Sequence, residues 1–110
     1  MDAFAALLCS LEFRVSIHTA ICGPEPECEA MWGNHVVLVV HLEDAYVADV
    51  GLGEGPRWPF KLAEASWVED GFHFAMRPRG GGEWRFRNPA NATGALPGFA
   101  FAPGRWLAGE

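Results

Sequence analysis

At 110 residues, half of them hydrophobic and 13% aromatic, the chain has the length and the apolar content of one folded domain, which excludes a disordered segment. Fourteen acidic against eight basic residues give a formal net charge of −6 with the bases scattered, which argues against nucleic acid as a partner. No apolar run reaches the roughly 20 residues of a membrane helix, and three cysteines behind an N-terminus that lacks the basic start of a leader predict a reduced, cytoplasmic setting.

In chain order, Phe4, Leu7, Leu8 and Leu11 recur at helical spacing and predict a short helix with one apolar stripe. With only Asp2 ahead of it as a cap, such a helix is marginal alone and reads as the end of something longer. From Phe13 to Ile21 the period becomes two. Phe13, Val15, Ile17 and Ile21 fall on one face and Arg14, Ser16 and His18 on the other, the pattern of a half-buried strand. Gly23, Pro24 and Pro26 break that pattern, and Cys22 to Met31 reads as an acidic surface loop.

Asn34 to Gly53 reads as an antiparallel hairpin, two runs rich in β-branched residues around a polar turn. His35 opens it and Asp49 lies fourteen positions later, a base and a carboxylate suited to orient it. Two registers are open. A two-residue turn at Glu43-Asp44 sets Asp49 on the face away from His35, whereas a three-residue turn at Leu42 to Asp44 sets it diagonal to His35 on the same face. Gly51 and Gly53 follow, where a ligand can approach the backbone closely, and Leu52, Trp58 and Phe60 are candidates to line a pocket beside Asp49.

Glu54 to Leu62 carries Pro56 and Pro59 and reads as an ordered loop leading to an edge element. Asp70-Gly71 between aromatic-rich runs predicts a hairpin over Trp67 to Met76. Arg79 to Gly82 reads as a flexible connection, and Trp84 to Asn88 as a strand with Arg85 and Arg87 alternating against the aromatics. Beyond Pro89 only Phe99 and Phe101 stand out as anchors. About five strands after one helix predict a mainly β fold, a small antiparallel β-barrel or sandwich preceded by the end of a helix.

The run Asn34-His-Val-Val-Leu-Val-Val, then Tyr46-Val-Ala-Asp-Val-Gly-Leu-Gly and Pro59-Phe-Lys-Leu, resembles the arylamine N-acetyltransferase family and the related amide synthases. The likeness extends back through Phe4-Ala-Ala-Leu-Leu and Leu11-Glu-Phe-Arg-Val, and forward to Trp84-Arg-Phe-Arg-Asn-Pro. Departures are Glu12 for the family's Gly, Leu52 for its Phe, and a His to Asp interval one residue short. The resemblance implies residues 1–12 as the end of a helical domain and 13–110 as the β-barrel-like middle domain. It also implies acetyl transfer from acetyl-CoA to an arylamine or arylhydrazine by a Cys-His-Asp triad with His35 and Asp49 as two members.

The family's nucleophile sits in Arg-Gly-Gly-x-Cys-x-Glu-x-Asn, a motif whose place would fall before Met1. Cys9 lies inside the helix, off its apolar stripe and away from the N-terminus that lowers a thiol's pKa, and Cys22 and Cys28 match no family position. Arg79 to Gly82 imitates the motif without its cysteine. No pair among Cys22, Cys28, His18, His35 and His41 has the usual zinc spacing, so no metal is expected, and His18, His41 and His73 read as strand residues without a role. Partial loss of the triad predicts a chain inactive alone, with a non-catalytic binding module or a decayed remnant of the family as the alternative and self-association through exposed apolar surface as a consequence.

Overall fold

A computed structural model describes residues 2–23, 28–48, 56, 58–87 and 98–109. Among the described residues one helix, α1 (Asp2–Ser10), is followed by eight strands: β1 (Arg14–Cys22), β2 (His35–His41), β3 (Ala45–Ala48), β4 (Phe60–Lys61), β5 (Ala65–Glu69), β6 (Phe72–Gly80), β7 (Glu83–Arg87) and β8 (Gly98–Gly109). They form a single antiparallel sheet in the order β4-β3-β2-β1-β8-β7-β6-β5, curled into a half-barrel, so the predicted mainly β class holds with more strands than the five expected.

The curl is fastened by aromatic side chains. Phe60 on edge strand β4 lies 5.1 Å from Trp67 on the opposite edge strand β5, and 5.2 Å from Phe86 on β7. Phe74, Phe86, Phe99 and Phe101 fill the inner face together with Ala20, Val37, Val39, Val47 and Met76. Rings at such spacings add about 0.5–1.5 kcal/mol per pair beyond the area they bury.

α1 covers the outer face, where Ala5, Phe4 and Leu8 pack on Val15, Ile17, Leu38, Val40 and Ala48. The predicted stripe is therefore rotated: Leu7 and Leu11 point outward, 53% and 59% exposed. Two hydrogen bonds close the helix, from the Glu12 N–H to the Cys9 carbonyl at 2.9 Å and from the Phe13 N–H to the Leu8 carbonyl at 3.0 Å. Together they make a Schellman cap with Glu12 as its left-handed residue at φ 69°.

β1 runs between β2 and β8 and is buried on both faces, which corrects the half-buried expectation. Its Ala20 and Cys22 pack into the aromatic interior, and its Val15 and Ile17 pack on the α1 side. Arg85, expected to alternate outward, is instead 1% exposed, and its Nη2 donates to the Gly23 carbonyl at 2.7 Å.

Asp70 and Gly71 form the predicted hairpin turn, both at positive φ (53° and 81°), with Glu69 paired to Phe72. The segment read as a flexible connection is likewise a tight turn. β6 continues to Gly80, and Gly81-Gly82 at φ 61° and 79° reverse the chain between Gly80 and Glu83.

Candidate functional site

His35 stands opposite Ala20 at the start of β2. The chain is pinned there by Asn34, whose Oδ1 accepts from the Cys22 N–H at 2.7 Å and whose Nδ2 donates to the Cys22 carbonyl at 3.1 Å. The Gly33 N–H adds a bond to the Ala20 carbonyl at 2.9 Å. The His35 ring is half-buried and lies 5.4 Å from the ring of Phe99, an apolar wall on the inner face.

Of the two registers open in the sequence, β2 and β3 adopt the one with the three-residue turn. His41 pairs with Ala45 and Val39 with Val47, leaving Leu42, Glu43 and Asp44 as the loop. None of these three residues has positive φ. Asp44 instead anchors the turn to the neighbouring strand through an ion pair with Lys61 at 3.2 Å. The odd positions of β3 consequently share the inner face with His35, Val37, Val39 and His41. Asp49, Gly51, Leu52 and Gly53 lie outside the described residues.

Cys22 is placed differently from the sequence reading. It is the last residue of β1 rather than part of a loop, is half-buried, and packs against the inner cluster. Because Ala20 pairs with His35, Cys22 is the diagonal neighbour of that histidine on the same face, and across the other ladder it pairs with Phe99. Such diagonal positions have backbones about 7–8 Å apart, within reach of side chains. Cys9 and Cys28 are exposed, the first on α1 and the second before the short 3-10 turn at Glu29–Met31.

A second polar cluster escapes the sequence reading. Ser16 Oγ lies 2.7 Å from His18 Nε2 and 2.8 Å from His41 Nε2, with Ser16 wholly buried and His18 only 2% exposed. The hydroxyl has one proton to give and two lone pairs to accept with, so at most one of the two imidazoles accepts from it and at least one donates from its Nε2. His41 is six residues from His35 along β2, which at a rise of about 3.3 Å per residue puts the two sites about 20 Å apart, at opposite ends of the inner face. The signal available in the sequence is Ser16 and His18 two apart in β1, hence on one face, with His41 closing the apolar run of β2.

The remaining candidates separate from His35. Trp58 is 69% exposed rather than lining a pocket, and Phe60 is absorbed into the aromatic interior. His73 is exposed and borders a groove of about 440 Å³ on the β5–β6 hairpin, with Ser66, Val68, Ala75 and Arg87. Among the described residues no three His, Cys, Asp or Glu side chains converge as metal ligands. No helix of the described residues is long and apolar enough to cross a membrane. No family model and no curated protein matches the chain.

Proposed function

We propose that this chain is the β-sheet part of an acyltransferase of the arylamine N-acetyltransferase type, moving an acetyl group from acetyl-CoA to an arylamine or arylhydrazine. The observation that carries the reading is the three-residue turn between β2 and β3. It sets odd positions of β3 on the face of His35, and the next odd residue in the sequence after Val47 is Asp49. In this reading His35 takes the proton of a thiol that attacks the thioester carbonyl, CoA leaves, and the acetyl group passes to the amine nitrogen. Asp49 holds the imidazole in the required tautomer and stabilises its protonated form. Gly51 and Gly53 let substrate approach the backbone beside Leu52.

The double hydrogen bond from Asn34 to Cys22 supports the assignment, because a general base acts only when its position is fixed. The family's cysteine motif has no counterpart within the 110 residues. The setting proposed is the reducing cytoplasm, which keeps such a thiol reactive, and exposed Leu7 and Leu11 on α1 are the proposed surface for self-association. A non-catalytic binding module is the second reading, favoured by the aromatic filling of the inner face. Incubation with acetyl-CoA and an arylamine, followed by chromatography of the N-acetyl product, separates the two. Any product formed is expected to fall at least about 100-fold in His35→Ala, which would count against the binding module, and turnover indifferent to that substitution would overturn the acyltransferase reading.

A further inference from the structure

α1 packs on residues of β1, β2 and β3, and among the described residues no helix lies over the outer face of β5, β6 and β7. Trp67 and Phe74 turn their rings into the aromatic interior, so their neighbours Ser66, Val68, His73 and Ala75 project from the opposite face. Ser66 pairs with Ala75, and Ala75 pairs in turn with Arg87, which sets the three in one row across three strands. At about 4.8 Å between neighbouring strands, the backbones of Ser66 and Arg87 stand about 10 Å apart with only the Ala75 methyl group between them. That gap is the floor of the groove of about 440 Å³, and Val68 and His73, both exposed and paired with each other, line it in the next row.

The polar side chains that border this groove, Ser66, His73 and Arg87, are all able to donate. Among the described residues no Asp or Glu borders it, although the chain carries fourteen of them. Arg77 Nη2 donates to Ser66 Oγ at 2.6 Å while its Nη1 donates to the Ala65 carbonyl at 2.7 Å, so the serine oxygen is held as an acceptor and its own proton is left for another group. Arg77 also faces Arg85 across the β6–β7 ladder, which adds positive potential beside the groove, offset in part by Glu64 at 3.9 Å from Arg77 Nε. We infer that the groove is a binding site for a small organic anion, a carboxylate or phosphate carried on an apolar body. The anionic head meets Arg87, the apolar body lies on Ala75 and Val68, and Ser66 and His73 donate at its edges. The site lies on the face of the sheet opposite to the one that His35 shares with Phe99, and it does not depend on the acyltransferase reading.

The test is a heteronuclear NMR titration of the full chain with phenyl phosphate, benzoate and inorganic phosphate, following the backbone amides of Ser66, His73, Ala75 and Arg87. Saturable shifts centred on these residues are expected with at least one of the two organic anions, and the tighter of the two identifies the head group. Inorganic phosphate is expected to bind about tenfold more weakly than phenyl phosphate, because it leaves Ala75 and Val68 uncovered. Arg87→Gln is expected to weaken the organic anions at least about tenfold, the loss of one charged donor. No saturation by either organic anion below about 10 mM would overturn the site, as would inorganic phosphate binding as tightly as phenyl phosphate.

Should Arg87→Gln fail to fold, Ala75→Leu gives an independent reading, because it fills the floor of the groove and leaves every charge in place. Saturation is expected to disappear in that variant while its circular dichroism matches the native chain, and an affinity within about twofold of native would overturn the site. Lys61→Ala removes a cation from the other edge strand, β4, and is expected to change the affinity by less than about twofold. A loss equal to that of Arg87→Gln would mean attraction to the overall charge in place of a built site, and would overturn the inference.

Discussion

Replacing Ser16 by Ala removes one oxygen that two imidazoles share, at 2.7 and 2.8 Å, in a position with no solvent exposure. The half-buried His41 ring can turn to water, so its share of the loss is small. His18 is 2% exposed, and a buried polar atom stripped of its partner costs about 1–3 kcal/mol. For 110 residues an unfolding entropy of about 2.1 cal/mol/K per residue gives about 0.23 kcal/mol/K, so the melting temperature should fall by about 4–13 °C. Calorimetric melts at neutral pH measure this, and a fall of less than about 2 °C would refute the hydrogen-bonded cluster. The double variant Ser16→Ala/His18→Phe sharpens the point, since removing both polar partners is nearly neutral where removing one is costly. The two changes should be non-additive by about 1 kcal/mol, and additivity within about 0.5 kcal/mol would contradict the shared bond.

Glu12→Gly should raise stability by up to about 1 kcal/mol in chemical denaturation, because the Schellman cap holds this position at φ 69° where a side chain is strained. Gly98→Ala should be severely destabilising by the same assay. At φ 129° its Cβ would collide with the Phe86 carbonyl oxygen, at the end of the β7–β8 ladder where Gly98 pairs with Arg87. Phe86→Ala should cost about 3–5 kcal/mol, since this fully buried ring stacks on Phe60, Phe74 and Phe99 at once. Lys61→Ala should shift the denaturation midpoint by less than about 1 kcal/mol, as expected of an ion pair whose two side chains are both half exposed.

Some elements are legible in the sequence because their chemistry is local. Asp70-Gly71 demands a two-residue turn because both residues tolerate positive φ, and they adopt it. The β-branched runs after Asn34 become β2 and β3, and the register they adopt is one of only two that the turn allows. What stays hidden depends on partners far along the chain. Ser16 and His18 look like the wet side of a half-buried strand because polar residues are read as exposed. They are buried because β8 covers the second edge of β1 and because they bond to each other and to His41.

The same non-local pairing explains β8. A stretch rich in Gly, Ala and Pro has low strand propensity, yet it pairs with both β1 and β7 and brings Phe99 and Phe101 into the core. Cys22 reads as part of a loop because Gly23 and Pro24 follow it. Its place beside His35 emerges only from the β1–β2 register and the Asn34 clamp.

The function proposed here requires His35 and Asp49 to act together on an acyl group. Its most direct test is the rate of acetyl transfer from labelled acetyl-CoA to an arylamine, measured side by side for the native chain, His35→Ala and Asp49→Asn. Whatever turnover the native chain supports is expected to drop at least about 100-fold in each variant while the fold persists. Equal turnover in all three would contradict it.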